Sequence, residues 1–241
     1  MLTGMAAGPV FTFDHVTVRG DRDEILLDDL VLELPLEHVT AILGPSGAGK
    51  TTLLRLCNRL EVPTRGRVTL DGADLATLDP LALRRRVGMV FQQPTVFAGT
   101  VRDNLEVARP GIGDDAGRAI ARVGLDPALV DRQADDLSGG EAQRLCIARS
   151  LLTGPEVLLM DEPTSSLDRD NRDVVEALTR SLADAGIAVL WVTHDLAQAR
   201  RLATDIVVLI DGAVADDADA AAFVDPDEGP NPGRGSPRAG D

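Results

Sequence analysis

Gly44, Pro45, Ser46, Gly47, Ala48, Gly49, Lys50, Thr51 and Thr52 form a run in which a glycine, four residues and Gly-Lys-Thr follow one another. Glycines at these spacings let the backbone curl until successive N–H groups point at one anion, and a following helix adds the positive end of its dipole. The chemistry is the holding of a phosphate chain, with Lys50 reaching the outer phosphates and the Thr51 hydroxyl ligating Mg²⁺. A plain glycine-rich turn before an ordinary helix is the competing reading, but pattern and flanks agree on the phosphate loop. Lys50 is also the only lysine in the chain; every other long cationic side chain is arginine.

Two further groups of residues could act on the same ligand. Val157, Leu158, Leu159 and Met160 run directly into Asp161, Glu162 and Pro163. A carboxylate at the C-terminal end of a buried parallel strand sits where ligands bind in open α/β sheets. Asp161 is placed to hold Mg²⁺ through its water shell, and Glu162 to polarise a water that attacks the terminal phosphate. The other group is Leu137, Ser138, Gly139, Gly140 and Glu141, ahead of a helix with Ala142, Leu145, Cys146 and Arg149 along one side. Ser138 and Glu141 have the spacing of a capping box. A bare cap does not explain two adjacent glycines, whereas exposed amides, a hydroxyl and a helix N-terminus make a second anion site. Two separate half-sites in one chain suggest a nucleotide held between two copies.

These residues need a scaffold, and the hydrophobic pattern supplies one. Val39 to Leu43, Val87 to Phe91, Val157 to Met160, Ile187 to Val192 and Ile206 to Ile210 are short apolar runs of buried-strand character, most of them alternating with helical segments. That pattern predicts an α/β fold with a mainly parallel sheet covered on both faces. Ahead of it, Phe11, Phe13, Val16 and Val18 alternate, and after a charged turn so do Leu30, Leu32 and Leu34, which predicts an antiparallel β edge subdomain. Leu53, Leu54, Leu56, Cys57 and Leu60 mark the helix after the phosphate loop, and Val174, Leu178 and Leu182 a later one. Residues 95–152 carry helical segments and turns and no convincing strand, and are expected to be an inserted helical subdomain. Residues 1–9 are expected to be a loose tail and 215–241 an acidic, disordered one.

The 241 residues carry 44% hydrophobic residues, ample for a core, and a formal net charge of −15. That charge argues against nucleic acid or an anionic membrane bound through a general basic surface. Abundant aspartate with one lysine fits either a salty cytoplasm or base-composition bias in the coding DNA. No stretch approaches a membrane span and the N-terminus has no signal pattern. Cys57 and Cys146 fall on apolar helix faces, as buried thiols of a reducing compartment do. His15 and His38 have no motif around them.

With these residues in view, the chain resembles the ATP-binding cassette (ABC) ATPases, a P-loop NTPase family. The motifs stand in the family's order: the phosphate loop at 44–52, a glutamine loop at Gln92 and the signature at 137–141. The Asp161-Glu162 strand end, the Ser165-Ser166-Leu167-Asp168 loop and the switch His194 follow. The resemblance covers residues 10–214. It implies a head-to-tail dimer enclosing two ATP molecules, in which the phosphate loop of one subunit faces Ser138, Gly139 and Gly140 of the other. Mg²⁺ would be held by Thr51 and Gln92, with Asp161 acting through water. Glu162 would be the general base, His194 would contact the γ-phosphate, and Asp168 would sit at the dimer seam. One departure stands out. The family's adenine-stacking aromatic after the first strand is missing, where this chain reads Val18, Arg19, Gly20, Asp21, Arg22. Either a guanidinium of Arg19 or Arg22 stacks on the base, or base recognition is weak.

The resemblance further implies an ATPase subunit docked on an integral membrane permease at the cytoplasmic face of the membrane, with Val96 and Phe97 in the socket for a permease helix. Within the family the run at 86–105 looks like the small cassettes of phosphate uptake and of metal-export-type permeases, so an inorganic ion is the expected cargo. A non-transport cassette of a cell-division or cofactor-assembly complex is the alternative.

Overall fold

The computed structural model describes residues 10–224, so the tail expected at 1–9 and the stretch after residue 224 lie outside the described residues. Strands β1 (Val10–Arg19) and β2 (Ile25–Pro35) form an antiparallel pair, and β3 (Val39–Leu43) leads through the phosphate loop into helix α1 (Lys50–Cys57). Next come β4 (Arg65–Leu70), β5 (Ala73–Asp74), α2 (Pro80–Arg86) and β6 (Val87–Val90). Helices α3 (Val101–Ala108), α4 (Asp115–Ala121) and α5 (Gly139–Leu151) occupy the middle of the chain, joined by 3-10 turns. The remainder is β7 (Val157–Asp161), α6 (Arg169–Asp184), β8 (Ala188–Val192), α7 (Leu196–Leu202), β9 (Asp205–Ile210), β10 (Ala213–Val214) and α8 (Asp217–Val224).

The strands make two sheets, one of four antiparallel strands in the order β2-β1-β4-β5 and one of six in the order β10-β9-β3-β8-β7-β6. In the second sheet β9, β3, β8, β7 and β6 are parallel and only β10 runs antiparallel. Every residue of β3, β7 and β8 is buried, as continuous apolar strands covered on both faces must be. Alternate residues feed two cores. Leu159, Leu190 and Val192 join Leu53, Leu54 and the antiparallel sheet, whereas Leu158, Met160, Val189 and Trp191 join α5 and α6.

Register sets up the site. Ile42 pairs with Val192, and Val192 with Asp161, so β3, β8 and β7 end almost level at their C-terminal ends. Val90 of β6 pairs with Met160, one residue earlier. The loops carrying Gly44, Gln92, Glu162 and His194 therefore leave the sheet along one edge, the position that open parallel sheets offer to ligands.

Several details depart from the sequence reading. The strict alternation in β1 breaks at His15 (φ 52°) and that in β2 at Asp29 (φ 46°), where bulges shift the register. Leu27 and Leu30 are consequently both buried, and the His15 Nδ1 meets Asp29 Oδ1 at 3.0 Å across the two bulges. Helix α1 stops at Cys57, the chain turns at Arg59 (φ 55°), and Leu60 is 42% exposed rather than part of the helix's apolar face. In α6 Val175 is buried and Val174 is exposed. Within the tail expected at 215–241, Asp217–Val224 form α8, with Ala220 and Phe223 packed on the cluster around Ala41, Leu43 and Val208, and the rest of that tail after residue 224 lies outside the described residues.

Candidate functional site

The phosphate loop owes its shape to glycine at two positions above all. Gly44 and Gly49 have φ of 152° and 91°, in the range that L side chains avoid. A Cβ on Gly44 would collide with the Leu209 carbonyl oxygen, and one on Gly49 would lie 2.5 Å from Leu26 O and 2.7 Å from Leu27 Cδ2. Gly49→Ala is therefore expected to destabilise the chain by about 2 kcal/mol and to abolish nucleotide binding. Urea unfolding and nucleotide titration of the purified variant check both effects.

Ser46 through Thr52, with Leu26 and Glu162, line a cleft of about 250 Å³. Lys50 is buried beneath it and donates from Nζ to the carbonyls of Gly44 (2.9 Å) and Pro45 (2.8 Å). Burial pulls its pKa down, against the opposing pull of Glu162 and Asp161. The ammonium thus holds the loop closed on itself while remaining at the cleft floor. Thr51 Oγ1 donates to Asp161 Oδ1 at 3.0 Å, so α1 and the end of β7 are joined at this point. Burial pushes the Asp161 carboxyl above its usual range, the Thr51 bond opposes this, and neighbouring Glu162 adds to it. A hydroxyl and a carboxylate meeting here are hard oxygen donors of the kind Mg²⁺ takes, so the residues present fit that ion.

Glu162 has a left-handed backbone (φ 42°), uncommon for a residue with a side chain. Its amide donates to Val192 O at 3.1 Å, prolonging the strand pairing past the end of β7. The turn sets its carboxylate on the wall between the phosphate cleft and a second cavity of about 140 Å³ behind it. There Glu162 Oε2 lies 3.1 Å from His194 Nδ1. A carboxylate can only accept, so Nδ1 carries the proton and Nε2 is the nitrogen left to face a ligand.

The signature residues stand elsewhere. Ser138 caps α5: its Oγ accepts from Glu141 N (3.3 Å) while Ser138 N and Oγ both donate to Glu141 Oε2 (2.8 Å each). Those two bonds hold the Glu141 carboxyl below its usual range. A Cβ on Gly139 would meet nothing within 4 Å among the described residues, whereas one on Gly140 would strike the Asn171 side chain. Asn171 accepts from Arg144 Nη1 (2.8 Å) and donates from Nδ2 to both carboxylate oxygens of Asp168 (3.0 and 2.9 Å). Asp168 caps α6 by accepting from Asn171 N, and that bond first of all keeps its pKa low. Gln92 is exposed and donates to Ser165 Oγ at 3.3 Å.

The structure thus brings together residues 44–52, Asp161, Glu162 and His194. It leaves Gln92, Ser138, Gly139, Gly140 and Asp168 outside the cleft lining. Arg19 donates to the carbonyl (3.2 Å) and carboxylate (3.1 Å) of Asp23. Sequence reasoning missed Leu26 in the cleft wall, and Thr164, Thr193 and Gln198 behind Glu162. The one signal for Gln198 was a glutamine between the buried positions Ala199 and Leu202 and the strand end at Val192.

The family model described as ABC transporter matches residues 27–165. The chain belongs to the ABC transporter family, as an ATP-binding domain. Among ABC relatives, Protein STAR1 of Oryza sativa subsp. japonica is 42% identical over 218 residues, 88% of this chain and 63% of that protein. Methionine import ATP-binding protein MetN of Cereibacter sphaeroides is 41% identical over 88% of this chain and 64% of its own length. Phosphate import ATP-binding protein PstB 2 of Natronomonas pharaonis is also 41% identical, over 84% and 78% respectively. The chain thus spans somewhat under two thirds of STAR1 and MetN. Among solved ABC structures, cbiO1 from Clostridium perfringens, part of the ABC transporter complex cbiONQ, superposes with a TM-score of 0.76 at 26% identity, covering 86% of each chain. Among the described residues no helix is long and apolar enough to cross a membrane.

Proposed function

We propose that this chain binds and hydrolyses ATP to power a membrane transporter, working as a head-to-tail pair of copies. The observation that carries the reading is the Glu162–His194 pair, 3.1 Å apart, on the wall of the cleft that the phosphate loop lines. Phosphoryl transfer needs positioning and charge stabilisation more than covalent chemistry, and each residue has one such task. The backbone N–H groups of residues 46–52 cradle the phosphates, and Lys50 exchanges its two carbonyl partners for the outer phosphate oxygens. Glu162 orients and polarises the attacking water, and His194 contacts the γ-phosphate through Nε2 while keeping Glu162 in place. Thr51 would hold Mg²⁺ with Gln92, and Asp161 through water; when bound, the ion would supply charge that neutralises the phosphates.

The rest of the site comes from the second copy. Gly139 is bare although nothing among the described residues lies within 4 Å of where its Cβ would be, which fits an amide presented to a ligand held by another subunit. Ser138 and Gly140 flank it, and Asp168 is linked to this helix through Asn171 and Arg144, so the seam residue and the signature move as one unit.

A permease in the membrane is the expected partner, and the chain would sit peripherally at the cytoplasmic face. Phe97 offers the docking surface, its ring 43% exposed and stacked under the Arg149 guanidinium at 4.4 Å. An inorganic ion is the cargo class we favour, supported by the likeness to a phosphate-import subunit, although a methionine-import subunit is equally similar. Purification of the tagged chain from detergent-solubilised membranes tests the partnership: a polytopic protein is expected to co-purify. A soluble assembly in its place would remove the transport reading.

A further inference from the structure

Behind the catalytic pair lies a buried side chain that the proposed chemistry does not use. Gln198, on α7, is 3% exposed. Its Oε1 accepts from Thr193 Oγ1 (2.8 Å) and from Trp191 Nε1 (3.4 Å), and its Nε2 donates to Thr164 Oγ1 (2.9 Å) and to Glu176 Oε1 (2.9 Å). A primary amide has two donor protons and two acceptor lone pairs, and all four are engaged. The Trp191 indole N–H can only donate, which sets the amide oxygen toward Trp191 and Thr193.

What the four bonds connect is the point. Thr193 immediately precedes His194, and Thr164 lies two residues after Glu162. Trp191 belongs to β8 and Glu176 to α6. One amide therefore clamps the loop that carries the base to the loop that carries the histidine, from the side opposite the nucleotide cleft. Thr193 Oγ1 also accepts from Asp195 N (3.0 Å), and Asp195 Oδ1 caps α7 by accepting from Gln198 N (3.0 Å), which closes a ring around the His194 turn. The ring lies behind a Glu162 with a left-handed backbone and a His194 whose side chain is 65% exposed.

We infer that Gln198 is a positioning residue for ATP hydrolysis, fixing the spacing between Glu162 and His194 by bridging Thr164 to Thr193. This rests on the proposed ATPase reading. Gln198→Leu, which keeps the volume and removes the amide, is expected to leave nucleotide affinity within about two-fold and to lower kcat ten- to a hundred-fold, the scale at which small misplacements of catalytic groups act. Glu176→Ala is the control, since it removes the Gln198 partner on α6 and leaves the Thr164–Thr193 bridge whole. It should cost stability and spare kcat. If both variants lose turnover in proportion to their loss of stability, Gln198 is only a core residue and the inference fails. A double-mutant comparison adds a second arm: in a His194→Ala background Gln198→Leu should cost less than two-fold, and an undiminished cost would overturn it.

A third readout needs no turnover. The chain has three histidines, so the imidazole ¹⁵N resonances of His194 can be assigned by difference. Wild type should show the Nδ1-protonated ring bonded to Glu162, and Gln198→Leu should show tautomer averaging; unchanged resonances would contradict the assignment. A wild-type chain that shows this pairing yet never hydrolyses ATP would refute the ATPase reading while leaving the clamp in place.

Discussion

The Glu162→Gln chain is expected to bind ATP with wild-type affinity and to turn it over a hundred- to ten-thousand-fold more slowly, the range that general-base catalysis contributes. The amide has the same shape and still donates to or accepts from His194 Nδ1, so the 3.1 Å contact and the cleft wall are kept. What it loses is the capacity to take a proton from water. The fold should not suffer, because the strained backbone at φ 42° is stabilised by the Glu162 N to Val192 O bond, which the substitution does not touch. Single-turnover hydrolysis with radiolabelled ATP, beside equilibrium binding, separates the two effects. Retained turnover would move the base elsewhere. Because Glu162 also raises the Lys50 and Asp161 pKa values, Glu162→Gln removes a negative charge from the phosphate cleft, and any change in affinity should be toward tighter binding.

Ser138→Arg is the second large effect. Among the described residues the Ser138 side chain bonds to Glu141, capping the helix, and losing a cap costs about 1 kcal/mol. Nucleotide binding by the single chain is expected to be unchanged, because Ser138 is no part of the cleft lining. Association of two copies on ATP should be lost, since a long cationic side chain would fill the place where the partner's phosphates approach. Gly139→Ala serves as the milder companion. A Cβ there meets nothing within 4 Å among the described residues, so any loss of association reports the partner surface and not the fold. Analytical ultracentrifugation with and without ATP reads both. Association that survives Ser138→Arg would reduce the signature loop to a helix cap.

Much of this was legible because the features are local. A phosphate loop announces itself by glycines at fixed spacing, where the backbone takes φ angles that L side chains rarely adopt, and the Ser138–Glu141 box by its three-residue spacing. The buried strands β3, β7 and β8 show as unbroken apolar runs because both their faces are covered. Other features were not legible, for physical reasons. The bulges at His15 and Asp29 place non-glycine residues at positive φ, a choice enforced by pairing with the neighbouring strand. Helix α8 looked structureless in an Ala- and Asp-rich stretch because what orders it is tertiary: Phe223 and Ala220 meeting β3 and β9. Gln198 was hidden for a third reason. A buried amide is defined by its four partners, and those come from segments up to 34 residues away in sequence.

The proposed ATP site is completed by two copies of the chain. Its most direct test is the solution mass of the Glu162→Gln protein by light scattering, with ATP and with no nucleotide. A doubling of mass on ATP addition, absent when Ser138→Arg is added to the same chain, is the predicted result. A mass that stays that of a single chain at saturating ATP, or a doubling that ignores Ser138→Arg, would contradict it.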